Sequence, residues 1–106
     1  MVDHFNNRIQ KFTNTGTFLA KWGILGLGEG QFSDAESIAV DADGNVFVAD
    51  VDRIQKFTNA GAFVTEWGSL GSADGQFNSA LGVATNGNGA IYTTDFNHRV
   101  QKFACP

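Results

Sequence analysis

Proline is almost missing from this chain: there is one in 106 residues, at the very end. Cysteine is equally scarce. The single Cys105 has no partner for an internal disulfide, so a free terminal thiol is preferred to an interchain bridge, and a structural metal site would need more ligands. Basic charge is also short, with seven Lys+Arg against eleven Asp+Glu and a net charge of −4. Nucleic acid is therefore not an expected partner, because phosphate recognition draws on a basic face. No apolar run approaches the roughly 20 residues of a membrane span. The opening "MVDHFNNRIQ" is polar and shows no secretory signal pattern, so no membrane association is expected.

Glycine and aromatics are abundant. Thirteen Gly point to many tight turns, and ten Phe with two Trp supply a core, which excludes a disordered chain. The length suits one modest domain.

The chain repeats itself. "RIQKFTNTG" at 8–16 returns as "RIQKFTNAG" at 53–61 and as "RVQKFA" at 99–104. Trp22 to Trp67 is 45 residues, and Gly-Gln-Phe at 30–32 recurs at 75–77. "DADGNVFVAD" at 41–50 aligns with "NGNGAIYTTD" at 86–95. Markers sharing one spacing exclude chance.

Each unit reads as four short strands. "SIAVD" (37–41, strand a) and "VFVAD" (46–50, strand b) flank "ADGN", where Asp-Gly marks a hairpin because Gly accepts positive φ. "RIQKF" (53–57, strand c) and "AFVTEWG" (62–68, strand d) flank "TNAG", a second turn. The expected unit is an antiparallel meander. Ile54 and Phe57 stand three apart, so they cannot share one face of a regular strand. Either a bulge intervenes or both faces are buried, as in a sheet stacked between two others. After strand d runs a Gly-rich loop, "GILGLGEGQF" (23–32) or "GSLGSADGQF" (68–77), whose closing Phe32 or Phe77 anchors the crossover. Four strands in a period of 40–50 residues are the mark of a β-propeller blade, which must stack on neighbours.

The pattern Arg-[Ile/Val]-Gln-Lys-Phe, then Gly-x-Phe, Trp-Gly, a loop ending Gly-x-Gly-x-Phe, and an apolar run into Asp-x-x-Gly-Asn, resembles the NHL repeat over residues 3 to 103. The resemblance implies a β-propeller, often six-bladed, which mostly binds proteins or RNA. Some six-bladed relatives are lyases or hydrolases with a metal in the central channel. Two departures stand out. The family's Pro and Gly before strand a read Ala35 and Ser37 in one copy, and Ala80 and Gly82 in the other. The connection from b to c also varies: Asp3 to Arg8 spans five residues, Asp95 to Arg99 four, Asp50 to Arg53 three.

The expected layout is a partial blade over 1–32 with strands c and d, a full blade over 33–77, and a partial blade over 78–106 with strands a to c. That makes about two and a quarter blades, whereas a closed ring needs at least four. Homo-oligomerisation would close it, head to tail, with a six-bladed trimer favoured. A fragment of a longer propeller is the other reading. The residues expected at blade or oligomer packing contacts are Ile9, Phe12, Trp22, Phe32 and Ile54, followed by Phe57, Trp67, Phe77, Val100 and Phe103.

Candidate sites are each set against a plainer reading. "DADGN" (41–45) has the look of a calcium loop but lacks a following Glu, and a hairpin turn is preferred. "GLGEGQ" (26–31) has the glycines of a phosphate cradle without Lys-Ser/Thr or a helix, so a crossover loop is preferred. His4 and His98 lie at opposite ends of the chain and would need a junction and a third ligand to hold a metal. Arg8, Arg53 and Arg99 recur once per unit. A ring of arginines gripping an acidic or RNA partner is one reading; a repeated ion pair with Asp3, Asp50 and Asp95 is preferred.

The expected function is a non-enzymatic, self-assembling scaffold that binds a protein or ligand on the assembled ring, without cofactor. The alternative is a piece of a larger NHL propeller that is a metal-dependent lyase or hydrolase, or an RNA-binding module.

Overall fold

In the computed structural model, described at residues 2–3, 7–80, 82–86, 89–95, 97 and 99–104, all regular structure is β. The first sheet holds β1 (Val2–Asp3), β2 (Arg8–Phe12) and β3 (Phe18–Trp22). The second holds β4 (Ala35–Val40), β5 (Val46–Asp50), β6 (Arg53–Phe57) and β7 (Phe63–Trp67). The third holds β8 (Gly82–Thr85), β9 (Ala90–Asp95) and β10 (Arg99–Ala104). Every pairing is antiparallel between consecutive strands, so each sheet is a meander. The sequence reading began the first sheet at strand c. The structure adds β1, which pairs Val2 with Ile9 and Asp3 with Arg8 as the end of a strand b. Two residues are too few to show alternation, which hid it.

The sheets stack face to face in a propeller-like manner, and the second sheet is the filling. Along β5, Val46 and Val48 face one neighbour while Phe47 and Ala49 face the other, so all five positions are buried. On β6, Ile54 joins Phe77, at the end of its own crossover loop, and Val83 and Ile91 of the following sheet. Phe57 joins Ile9 and Phe32 of the preceding unit. The spacing of three therefore reports burial on both faces. A bulge exists as well, but on β7: Lys56 pairs with Thr65 and Phe57 with Phe63, leaving Val64 unpaired. The first sheet repeats it at Leu19, between the pairs Lys11–Ala20 and Phe12–Phe18.

The Gly-rich crossovers end on Phe32 and Phe77, both wholly buried in the junction with the next sheet. Removing either ring would leave a cavity worth about 3–5 kcal/mol. Ala35 and Ala80, which follow, are buried as well. Ser37 accepts a hydrogen bond from the Val83 N–H at 3.3 Å, and the Thr85 hydroxyl donates to the Val40 carbonyl at 2.8 Å. Ala35 and Ser37 thus join neighbouring sheets.

Candidate functional site: loop clamps and a rim cleft

The repeated phrase builds a polar clamp. The Arg53 guanidinium donates to the carbonyls of Leu27 (2.7 Å), Gly28 (3.1 Å) and Gln31 (2.7 Å), all in the preceding crossover loop. Asp50, on β5, pairs with it at 3.1 Å, and Glu66, on β7, at 3.0 Å. The other Asp50 oxygen accepts the N–H groups of Ser33 and Asp34 at 3.0 and 2.6 Å. Gln55 completes the grip, accepting from Gly30 N–H at 2.9 Å and donating to the Gln31 carbonyl at 2.7 Å.

The next unit repeats this arrangement. Arg99 donates to the carbonyls of Ser72, Ala73 and Gln76 at 2.6–2.9 Å, with Asp95 at 3.7 Å. Gln101 accepts from Gly75 N–H at 2.8 Å and donates to the Gln76 carbonyl at 2.8 Å. A buried carbonyl left without a donor is costly, so a crossover that turns its carbonyls inward needs these side chains. Arg53 and Arg99 serve the stacking of sheets. Gln55 and Gln101 were missed by sequence reasoning, although Gln recurs in all three copies of the phrase.

The lysines and tryptophans follow the same logic. Lys56 lies over Phe47 at 5.5 Å and Lys102 over Tyr92 at 5.8 Å, each opposite its partner across a strand pair. Lys11 reaches forward to the Asn59 carbonyl at 3.2 Å. Trp22 packs on Phe57 at 5.8 Å, and Trp67 on Phe103 at 5.5 Å. With Phe32–Phe57 and Phe77–Phe103 at 5.7 and 6.0 Å, Phe57 and Phe103 are each held by the Trp and loop Phe of the preceding unit.

Of the packing residues named from sequence, Ile9, Phe32, Ile54, Phe57 and Phe77 are buried, and Trp22, Trp67 and Phe103 are partly buried against the two core clusters. Phe12 is 39% exposed and Val100 66% exposed. They occupy the outward faces of the first and last sheets, where Phe18 is the aromatic neighbour of Phe12 at 5.9 Å.

The turn at 41–45 is a hairpin braced by its own first residue. Asp41 accepts the backbone N–H of Asp43 (3.0 Å) and of Asn45 (2.8 Å) and the Asn45 side-chain amide (3.1 Å). Partial burial pushes its pKa up. The Asn45 side-chain and backbone hydrogen bonds, the Asp43 N–H and the Lys56 charge outweigh this and hold it below the ordinary carboxylate value. In the glycine loop, the Gly28 N–H is taken by Gln31 Oε1 at 2.9 Å and the Gly30 N–H by Gln55, so these donors do not cradle an anion. His4, His98 and Cys105 lie outside the described residues, as does the side chain of Asp3. Among the described residues no three of His, Cys, Asp or Glu cluster as a metal site would.

The crossovers and the β5–β6 turn meet at one end of the sheets. Val51 accepts the Ala80 N–H at 2.6 Å, and Asp52 accepts the Ser79 N–H at 3.3 Å. Beside them lies a cleft of about 210 Å³ lined by Leu27, Val51, Asp52, Arg53, Ser69 and Leu70. Neither the cleft nor its aliphatic walls were foreseen, because Leu27 and Leu70 sit in loops without periodicity.

No protein-family model matches this chain. No curated protein is significantly similar to it. A solved structure, selenomethionine-substituted virginiamycin B lyase from Staphylococcus aureus, is similar over 94% of the chain with 14% identity and a TM-score of 0.49. The chain spans about a third, 35%, of the length of that protein. The expectation of a non-enzymatic chain is set aside, since the similar structure bears the name of a lyase. The chain itself is an all-β, propeller-like stack of antiparallel sheets.

Proposed function

We propose that this chain is a set of NHL-type propeller blades that completes a ring by joining a further copy of itself head to tail, and that the ring binds a protein or ligand. With three sheets in each chain, face-to-face joining reaches six sheets with two copies, in place of the trimer that two blades per chain implied. One observation carries the reading. The faces left open at the two ends repeat, on the strands they share with it, positions that are buried in the middle sheet. Phe12 stands on β2 where Phe57 stands on β6, and is 39% exposed against 1%. Val100 stands on β10 where Ile54 stands on β6, and is 66% exposed against 0%. Phe18 adds 50% exposure on the first sheet, where its equivalent Phe63 packs against the core. Since the chain already joins such faces twice, a second copy offers a complementary surface, and repetition of a head-to-tail contact closes a ring when its rotation permits.

The test is mass in solution by light scattering after size exclusion, at two concentrations. A sharp species near twice 11.4 kDa is expected. Val100→Asp and Phe12→Ser should each dissociate it, because each buries a polar group in an apolar junction. A monomer at both concentrations would overturn self-assembly. The open faces would then belong to further blades of a longer polypeptide.

A further inference from the structure

Covering the open sheet faces would not cover every exposed apolar side chain. Ile24, Leu25, Leu27 and Leu70 are 64–72% exposed on the crossover loops. Both loops already have their following sheet in place, clamped through Arg53 and Arg99, so stacking leaves these residues in water. The internal repeat separates scaffold from surplus. Leu25 and Leu70 are equivalent, each bridging to its loop Phe. Ile24 and Leu27 correspond to Ser69 and Ser72, so the fold does not require an aliphatic there. Of the four, Leu27 and Leu70 line the rim cleft, and exposed aliphatics at a cleft mark an interaction surface.

Charge identifies the occupant. Arg53 faces two carboxylates, Asp50 and Glu66, which leaves that group net negative. Asp52 lines the cleft, and Glu29 and Asp74 are exposed on the two loops. We propose that this rim cleft docks a short segment of a partner protein presenting an aliphatic side chain flanked by Lys or Arg. The aliphatic side chain enters between Leu27 and Leu70 over Val51, and the flanking cations meet Asp52 and the loop carboxylates. This deepens the reading of the chain as a binding surface and does not rest on ring closure, since all the residues belong to one chain.

The experiment uses the 106-residue protein and two fluorescein-labelled peptides of about seven residues, one alternating Leu and Lys, the other Leu and Glu. Binding is read by fluorescence anisotropy, and light scattering records the oligomeric state of the same samples. Saturable binding of the Leu–Lys peptide is expected, with the Leu–Glu peptide at least tenfold weaker. Leu27→Ser and Leu70→Ser, whose side chains are exposed and so leave folding intact, and Asp52→Asn should each weaken it about tenfold. Phe12→Ser, on the open sheet face, should leave it unchanged. Equal binding of both peptides, an equal loss in Phe12→Ser, or no saturable binding would overturn the proposal. Because the mass is measured in parallel, a monomer that binds the peptide separates failure of ring closure from failure of the cleft.

Discussion

Val51 is held at φ 55°, a left-handed conformation that a β-branched side chain rarely adopts, because only two residues join Asp50 to Arg53 across the strand pair. Such strain costs on the order of 1–3 kcal/mol. Val51→Asn, which tolerates this region, should raise stability by about 1 kcal/mol, read as a higher urea midpoint at unchanged m-value. Arg53 makes the opposite prediction. Asp50 is fully buried, and Arg53→Ala leaves its charge without the cation that compensates it, so a loss of about 3–5 kcal/mol is expected in chemical denaturation. Asp41 supplies a pH dependence. Its folded pKa lies below the ~3.9 of an unfolded Asp, so its contribution is present above that value and lost as pH falls through the folded pKa. The stability difference between the protein and Asp41→Ala should therefore be constant near neutrality and shrink below about pH 4. A difference that grows on acidification would show that the hydrogen bonds favour the protonated form.

Among elements, the turns joining β2 to β3 and β6 to β7 form a matched pair. Gly16 has φ 92° and Gly61 φ 91°, so alanine suffers the same backbone strain at each. Their surroundings differ. A Cβ on Gly16 would meet nothing within 4 Å, whereas one on Gly61 would lie 2.8 Å from the Trp22 ring of the preceding sheet. Measured in dilute solution, Gly61→Ala should cost about 1–3 kcal/mol more than Gly16→Ala, the cost of overpacking a formed junction. Equal losses would mean that Trp22 yields freely. The strands of the second sheet were legible in the sequence because turn residues and β-branched runs act within a few neighbours. The bulges at Leu19 and Val64 were not, since a bulge is a relation between two strands. The Arg–Gln clamp was half legible: the recurrence of the arginines was visible, while the carbonyls they hold lie 22–27 residues earlier in the chain.

For the whole molecule, Phe12 becomes a probe of assembly. If the third sheet of a second copy docks on the first sheet, Phe12 will be covered there as Phe57 is covered in the second sheet. The melting temperature should then rise with protein concentration, as mass action requires for a self-associating fold. Phe12→Ser should flatten that rise, because a hydroxyl in the apolar junction opposes docking while the exposed position alters the dilute-limit Tm little. A Tm independent of concentration in the unmodified protein would remove self-assembly as the means of covering Phe12 and Val100.

The period, the strands, the turns and the apolar pair in strand c were present in the amino-acid order alone, because hydrophobic alternation and glycine conformation are local properties. Which member of that pair meets water was not, because the same letters stand at Ile54 and Ile9, and at Phe57 and Phe12. Stacking buried both in the second sheet and exposed Phe12 in the first. Nor could the order alone distinguish an arginine that binds a partner from one that holds a loop, or bring Leu27, Val51 and Leu70 around one cleft. Those outcomes depend on backbone groups and surfaces that come together only when one sheet packs on the next.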